Sequence, residues 1–500
     1  MSSEPRAAKR TRMRPENLVR ATYEHPLAQE YARTGGPWDI PSLDALLSDP
    51  DDEGTATVVA NLAGGLRERG VEPGDVVCWQ AANSPPVVSM YRACWRIGAI
   101  AAPVHHALGA NETAALVARL APRVQVAWSD VPLRALPGTL DLDAVDSKGE
   151  PALQQWSDPS ALAALLFTSG SSGAPKGVLH TQRSLGYKAL LMAKVHGLGR
   201  DDAVLMPAPL AHISGLLNGV TLPGVVPFKR VLMSRWDPEH ALELIEREQV
   251  TFMIGPPTFF VSLISAPGFS PARVASLRLV SSGGAGVTEA FVEDAGARLG
   301  CVVKRTYGST EAPTIATSGP HDNRSNAARH DGRAVGAVLL RVSDGGELWV
   351  QGPELFSGYL DAEETAAAVI DGWFRTGDLA SIDADGWLRI VGRIKDVIIR
   401  GGENIAAAEI EDVLERHPSI AQAVAVGYPD RLMGERVCAF VVVRDGAFDL
   451  DACRAWFAAQ GVTKFKTPEQ VVTVDALPSL ATGKPDRARL RADATSRYPI

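Results

Sequence analysis

The chain has 500 residues, 46% hydrophobic and 22% charged, with a formal net charge of -8 at pH 7. That length supports a large core and roughly two to four structural units of ~100–200 residues, and the acidic balance offers no global attraction for nucleic acid. No apolar run reaches ~18 residues, so no membrane span is expected, and Cys78, Cys94, Cys301, Cys438 and Cys453 form no C-x-x-C pair and read as reduced, buried thiols of a cytoplasmic protein.

Residues 1–17 carry Arg6, Lys9, Arg10, Arg12 and Arg14 with no apolar stretch behind them, which predicts a disordered tail rather than a signal peptide. Residues 18–55 are irregular and rich in Pro, Asp and Gly. From Thr57 to Arg69 the pattern turns helical, with Val58, Leu62 and Leu66 at four-residue spacing. Val76–Trp79, Ile100–Val104 and Val124–Trp128 read as strands, with a helix over Val87–Ile97. Further strands are expected at Val204–Met206, Val250–Ile254, Leu277–Val280 and Val302–Arg305, and a helix at Ala241–Glu248. This alternation predicts βαβ units and a parallel sheet. Several of these strands run straight into Gly-rich or polar loops, and open parallel sheets bind ligands outside the carboxyl ends of their strands. From about Gly346 short strands with tight turns take over. The last ~105 residues read as a separate small α+β domain.

One stretch stands out: Phe167-Thr168-Ser169-Gly170-Ser171-Ser172-Gly173-Ala174-Pro175-Lys176-Gly177-Val178, preceded by the apolar run Ala161–Phe167. Glycines let successive backbone N–H groups converge on an anion, hydroxyls add donors, and Lys176 adds a charge. A plain Gly/Ser surface turn is the bland alternative. The stretch is not a P-loop, because Pro175 and Gly177 flank the lysine where Gly and a hydroxyl residue are required. A kinase or ATPase of that type is therefore disfavoured.

Other residues are ambiguous when taken singly. Asp378, in WFRTGD, is either a turn residue or a carboxylate that accepts from both ribose hydroxyls, with Arg393 as a neighbouring cation. Glu311 follows Ser309-Thr310 and is either a solvated surface residue or a magnesium ligand on a triphosphate. Lys484 by itself reads as a surface lysine of the tail, and His212 as a partly buried structural histidine.

Eight strings in order change this: TSGSSGAPKGV, PLAHISG, SSGGAG, YGSTE, GELWVQGPELFSGY, WFRTGDL, GRIKDVIIRGGENI and LPSLATGK. Over about residues 57–490 the chain resembles the adenylate-forming superfamily of acyl-CoA synthetases, firefly-type luciferases and peptide-synthetase adenylation domains. The resemblance implies an α/β fold. Its large N-terminal domain of doubly wound sheets plus a small β-barrel-like subdomain would span residues 18–393. A hinge at 394–396 would then lead to a small mobile α+β domain at 397–500.

It also implies an ATP-dependent carboxylic acid–CoA ligase with magnesium as cofactor. Thr168, Ser169, Gly170, Ser171, Ser172, Gly173 and Lys176 would close on the β- and γ-phosphates. Gly283, Gly284 and Ala285 would form a shelf for adenine, with Tyr307, Gly308 and Ser309 beside it. Thr310 would touch the α-phosphate and Glu311 would bind Mg2+. Asp378 and Arg393 would hold the ribose, and His212 falls among the catalytic residues. Lys395 would be the hinge, and Gly401 and Gly402 would line the pantetheine tunnel of coenzyme A. Lys484 would be the adenylation lysine, bridging the substrate carboxylate and the α-phosphate.

The sequence departs from the family pattern in four places. Ser171 or Ser172 stands where the family usually has Thr, keeping the hydroxyl; Ala406-Ala407 replaces the usual Tyr-Pro, Val338–Glu347 is short, and the first ~55 residues are unplaced. The stretch Leu210–Ile213 offers no acidic partner for a substrate ammonium, and an unpaired buried ammonium is costly. The expected substrate is therefore an apolar fatty, alicyclic, polycyclic or aryl acid, with a carrier-protein thiol as the alternative acceptor and a degenerate nucleotide sensor as the non-enzyme alternative. A monomer or homodimer is expected.

Overall fold

The computed structural model describes residues 22–48, 52–128, 131–145, 151–153, 156–168, 175–284, 286–319, 322, 324–480 and 484–499. The chain forms two compact units. The first comprises Met1–Trp236, Thr310–Pro313 and Pro353–Gly372, and the second Asp237–Ser309, Thr314–Gly352 and Trp373–Ile500.

The first unit is built on a mixed seven-stranded sheet. Its order is Gly358–Tyr359, Lys176–Thr181, Leu162–Thr168, Ile100–Val104, Val76–Gln80, Val124–Ala127 and Thr139–Asp141. Val76–Gln80 and Ile100–Val104 are buried along their whole length, as strands covered on both faces must be. Their side chains join Leu116, Leu120, Leu165 and Leu179 in one core.

The helix Pro85–Arg96 starts with proline in its first turn, where the missing N–H costs nothing. Its residues from Val87 onward are buried, including Arg92 and Arg96. These two cations meet Asp44, 1% exposed, at 3.2 and 2.7 Å from their Nε atoms. Asp44 lies on the short helix Leu43–Leu46, so part of the unplaced N-terminal stretch is a packed, charge-matched element. A second buried pair, Lys188 Nζ to Glu354 Oε1 at 3.0 Å, ties the helix Gln182–His196 to the GPELFSGY segment. Burial lowers the lysine pKa and the facing carboxylate opposes that shift.

The second unit carries the parallel strands Phe252–Gly255, Leu279–Gly283 and Val302–Tyr307, extended by antiparallel Ala316–Thr317 and Arg333–Ala334. Leu339–Val342, Glu347–Gln351, Trp373–Ile382 and Leu388–Arg393 form an antiparallel sheet, the short strands expected from about Gly346 onward among them. The short stretch before Glu347 is a tight turn, closed by the Ser343 N–H donating to the Glu347 carbonyl at 2.9 Å.

Beyond it, Val397–Arg400, Glu403–Ala406, Ile420–Asp430, Gly434–Val443 and Gln470–Thr473 form a further sheet. The helices Ala407–Glu415 and Leu450–Ala459 bury Ile410, Leu414, Cys453 and Phe457 in a core with Ile398, Val437 and Val441. The final helix, Arg487–Arg497, is anchored where Arg487 forks onto both Glu411 oxygens at 2.6 and 2.7 Å. This is the α/β architecture with a small α+β C-terminal part that the motif order implied. No helix among the described residues is long and apolar enough to cross a membrane.

Candidate active site

The strand Leu162–Thr168 returns antiparallel through Lys176–Thr181, with Thr168 opposite Lys176. The anion-loop stretch thus lies between two antiparallel neighbours, whereas a P-loop leads from a strand into a helix, consistent with its failure at Pro175 and Gly177. Ser169, Gly170, Ser171, Ser172 and Gly173 lie outside the described residues, as do Ala285 and 481–483. The exit of the loop is held in place. Arg119 donates to the Pro175 carbonyl at 2.7 Å, and the Lys176 ammonium sits 3.5 Å from Glu364 and 4.6 Å from the Tyr359 ring centroid.

The Thr310-Glu311 segment is fastened to the same strands. His180 Nε2 donates to the Thr310 carbonyl at 2.8 Å, and the Phe356 N–H donates to the Glu311 carbonyl at 2.8 Å. Full burial lowers the His180 pKa to about 4, so the imidazole is neutral and a carbonyl acceptor fixes its proton on Nε2. Glu311 Oε1 accepts from the Tyr359 hydroxyl at 2.8 Å. Among the described residues no cluster of three or more His, Cys, Asp or Glu forms a metal cage. A single carboxylate with a fixed orientation still fits magnesium, which binds through one or two carboxylates plus phosphate oxygens and water.

His212 caps the short helix Ile213–Gly215, its Nδ1 accepting from the Ser214 N–H at 3.3 Å. The helix continues with wide π turns over Leu216–Thr221 and a last α turn Leu222–Val225. Such π insertions accompany functional sites. Hydrophobic periodicity does not announce them.

In the second unit, Gly283 ends the strand Leu279–Gly283 so close to its neighbour that a Cβ there would lie 2.2 Å from the Thr306 carbonyl oxygen. Gly284 follows at φ +79°, and the Lys484 Cε and Nζ lie 3.3 and 3.8 Å from where its Cβ would be. The structure thus brings the lysine of the tail to the glycine shelf.

Tyr307 ends the next strand and donates its hydroxyl to Asp378 Oδ2 at 2.5 Å. Arg393 Nε sits 2.7 Å from Asp378 Oδ1. Asp378 itself is 3% exposed, so it is an oriented carboxylate and not a solvated turn residue. Burial, reinforced by Asp378, pushes the Tyr307 phenol far up, which keeps it a donor. Glu347 supports this arrangement from the neighbouring strand. It takes the Arg375 guanidinium at 2.9 Å and accepts from the Gly377 N–H at 3.2 Å.

Lys395 lies in a short 3-10 turn, Ile394–Asp396, its pKa lowered by burial first and Arg393 second. Gly401 and Gly402, at φ +59° and +88°, are the two-residue loop of a hairpin that pairs Arg400 with Glu403. Positive φ at both positions is what a type I′ hairpin turn demands, so these glycines have a backbone reason to be there. A cavity of about 440 Å³, lined by Val261, Thr288, Phe291, Arg298, Glu415 and Arg444 among others, shares no residue with the set read from the motifs.

Reading from sequence missed Tyr359, His180, Glu347 and Arg119. Tyr359 and Glu347 stand inside a motif string that was recognised as a whole but not resolved into contacts. His180 and Arg119 carried no signal, because their roles depend on pairings across the sheet.

Oriented carboxylates, a cationic loop exit and a lysine at a glycine shelf are the parts of a nucleotide-activating enzyme. Residues 55–360 match the model of the AMP-binding enzyme family, and residues 409–484 that of the AMP-binding enzyme C-terminal domain. The chain belongs to this adenylate-forming family. It is 32% identical over 478 residues to a medium-chain fatty-acid–CoA ligase of Escherichia coli (strain K12), covering 87% of this chain and 84% of that protein. It is 33% identical over 461 residues to an indoleacetate–CoA ligase of Aromatoleum aromaticum (strain DSM 19018 / LMG 30748 / EbN1), covering 86% of this chain and 90% of that one. The crystal structure of ATP-bound MatB from Rhodopseudomonas palustris superimposes with a TM-score of 0.81 at 27% identity, over 89% of this chain and 93% of MatB.

Proposed function

We infer that this chain is an AMP-forming acid–thiol ligase acting on apolar carboxylic acids. A carboxylate attacks the α-phosphorus of ATP to give acyl-AMP and pyrophosphate. The coenzyme A thiol then attacks the acyl carbonyl to give acyl-CoA and AMP. Medium-chain and indolyl acids head the substrate range, in keeping with the relatives and with the absence of any acidic residue in the stretch 208–221, where a substrate ammonium would need a counter-charge.

The observation that carries the reading is the Lys484 side chain lying against Gly284. An ammonium there offsets the repulsion between a carboxylate and a polyanionic triphosphate. Tyr307 and Arg393 hold the Asp378 carboxylate ready for the ribose hydroxyls. Lys176 serves the distal phosphates, and Thr310 the α-phosphate. Glu311 would hold magnesium, which supplies charge neutralisation on the phosphates. His212 fixes the start of a helix whose apolar turns line the acid pocket. Lys395 serves as the pivot for residues 397–500 between the two half-reactions. Free cysteines, four of them buried, accord with a cytoplasmic setting.

The pantetheine role of Gly402 has its own test. A Cβ at Gly402 meets nothing within 4 Å, so an added side chain is strained by φ and not by collision. Gly402→Ala and Gly402→Leu share that strain, about 1–2 kcal/mol. In an enzyme that passes pantetheine by this turn, Leu slows the CoA-dependent step at least tenfold while Ala costs much less and pyrophosphate release persists in both. Equal effects of Ala and Leu would restrict Gly402 to the turn. The proposed activity as a whole is tested by a pyrophosphate-release screen with CoA over fatty, alicyclic and aryl acids. Competition by a pantetheinylated carrier protein identifies the alternative acceptor, and no acid-dependent release would sink the reading.

A further inference from the structure

We propose that Tyr359 is a positioning residue for the magnesium–triphosphate end of the nucleotide, its hydroxyl fixing Glu311 and its ring face holding the Lys176 ammonium. The inference rests on the roles proposed above for Glu311 and Lys176. Its basis is a geometry that no motif assigns.

Tyr359 is 5% exposed and is held on several sides. It lies in the edge strand Gly358–Tyr359, opposite Val178 of the strand that leaves the anion loop. Its N–H donates to Thr365 Oγ1 at 2.8 Å, and its ring packs edge-on against Phe356 with centroids 4.9 Å apart. Its freedom to rotate is therefore small. From that fixed frame it makes two contacts of different chemistry. The hydroxyl donates to Glu311 Oε1 at 2.8 Å, which holds one carboxylate oxygen and so orients the other. The ring centroid lies 4.6 Å from Lys176 Nζ, within the range where a cation is attracted to the quadrupole of the ring.

Glu364, 3.5 Å from the same ammonium, supplies the opposing charge. One rigid side chain thus sets both the carboxylate proposed for the metal and the cation proposed for the phosphates. A residue that only filled space would need neither contact.

Tyr359→Phe separates the two functions, since it keeps the ring, its packing and the Lys176 contact while removing the donor to Glu311. ATP affinity is read by titration calorimetry with EDTA and again with saturating Mg2+, alongside the Mg2+ dependence of pyrophosphate release. In Tyr359→Phe we expect unchanged ATP affinity in EDTA, at least fivefold weaker binding with Mg2+, and a higher half-saturating Mg2+ concentration at an unaltered melting temperature. Tyr359→Met, which fills similar volume without a ring, should weaken ATP binding in EDTA as well. Glu311→Gln is the reference. If it weakens Mg2+-dependent binding and Tyr359→Phe does not, the proposal fails. If Glu311→Gln itself leaves the Mg2+ dependence unchanged, the metal role of Glu311 fails instead, and with it the part of the proposal that rests on it. A melting temperature lowered by Tyr359→Phe with both binding constants intact would make Tyr359 a packing residue and overturn the proposal.

Discussion

Lys484→Ala is expected to slow acid-dependent pyrophosphate release by about 10²–10³-fold, the usual loss when one preorganised donor to a developing charge is removed. Acyl-CoA formation from supplied acyl adenylate should stay within a few-fold of the parent enzyme. The asymmetry follows from the chemistry. In the first half-reaction two anions must approach, and the Lys484 ammonium beside Gly284 is the cation we propose to reduce their repulsion. In the second, the mixed anhydride already carries a good leaving group and the incoming thiol needs no such cation. Rapid-quench measurement of each half-reaction reads the split directly. Equal loss in both would mean that Lys484 supports the fold of the tail rather than the first step.

Asp378→Asn should raise the KM for ATP roughly 10- to 100-fold, which corresponds to one charge-assisted hydrogen bond at ~1.5–3 kcal/mol. The carboxylate is buried, and both of its oxygens face donors, Tyr307 on one side and Arg393 on the other. An amide keeps the shape but replaces one acceptor oxygen with an N–H donor, so the Tyr307 phenol and the ribose hydroxyls that we propose Asp378 holds compete for the one that remains. AMP binding should weaken by a similar factor, because AMP carries the same ribose. An unchanged KM for ATP with weakened binding of the acid would move Asp378 away from the nucleotide.

The sequence made the strand–loop alternation legible because buried strands are nearly pure apolar runs. Ile100–Val104 was read with its observed limits, and the helix Pro85–Arg96 was placed within two residues. The helices Gln182–His196 and Glu289–Leu299 went unread. The first mixes polar and apolar residues on buried faces, where Lys188 is matched by Glu354 from a distant segment. Residues 18–55 looked irregular for a related reason. Asp44 is unremarkable in sequence, and its meaning comes from Arg92 and Arg96 on another element.

The candidate site divides along the same line. Residues named for their motif, such as Glu311, Asp378 and Lys484, were legible. Residues that orient them, such as Tyr359, His180 and Glu347, were not, because orientation is a property of cross-strand register. Gly401-Gly402 shows the opposite hazard, a motif with a functional reading that the hairpin alone is sufficient to require.

The central claim is that the chain forms an acyl adenylate before any thiol is engaged. ATP–pyrophosphate exchange without CoA, measured with medium-chain and aryl acids, tests it most directly. The account predicts exchange that depends on the acid and is abolished in Lys484→Ala. Exchange absent across the acid panel, or undiminished in Lys484→Ala, would contradict it.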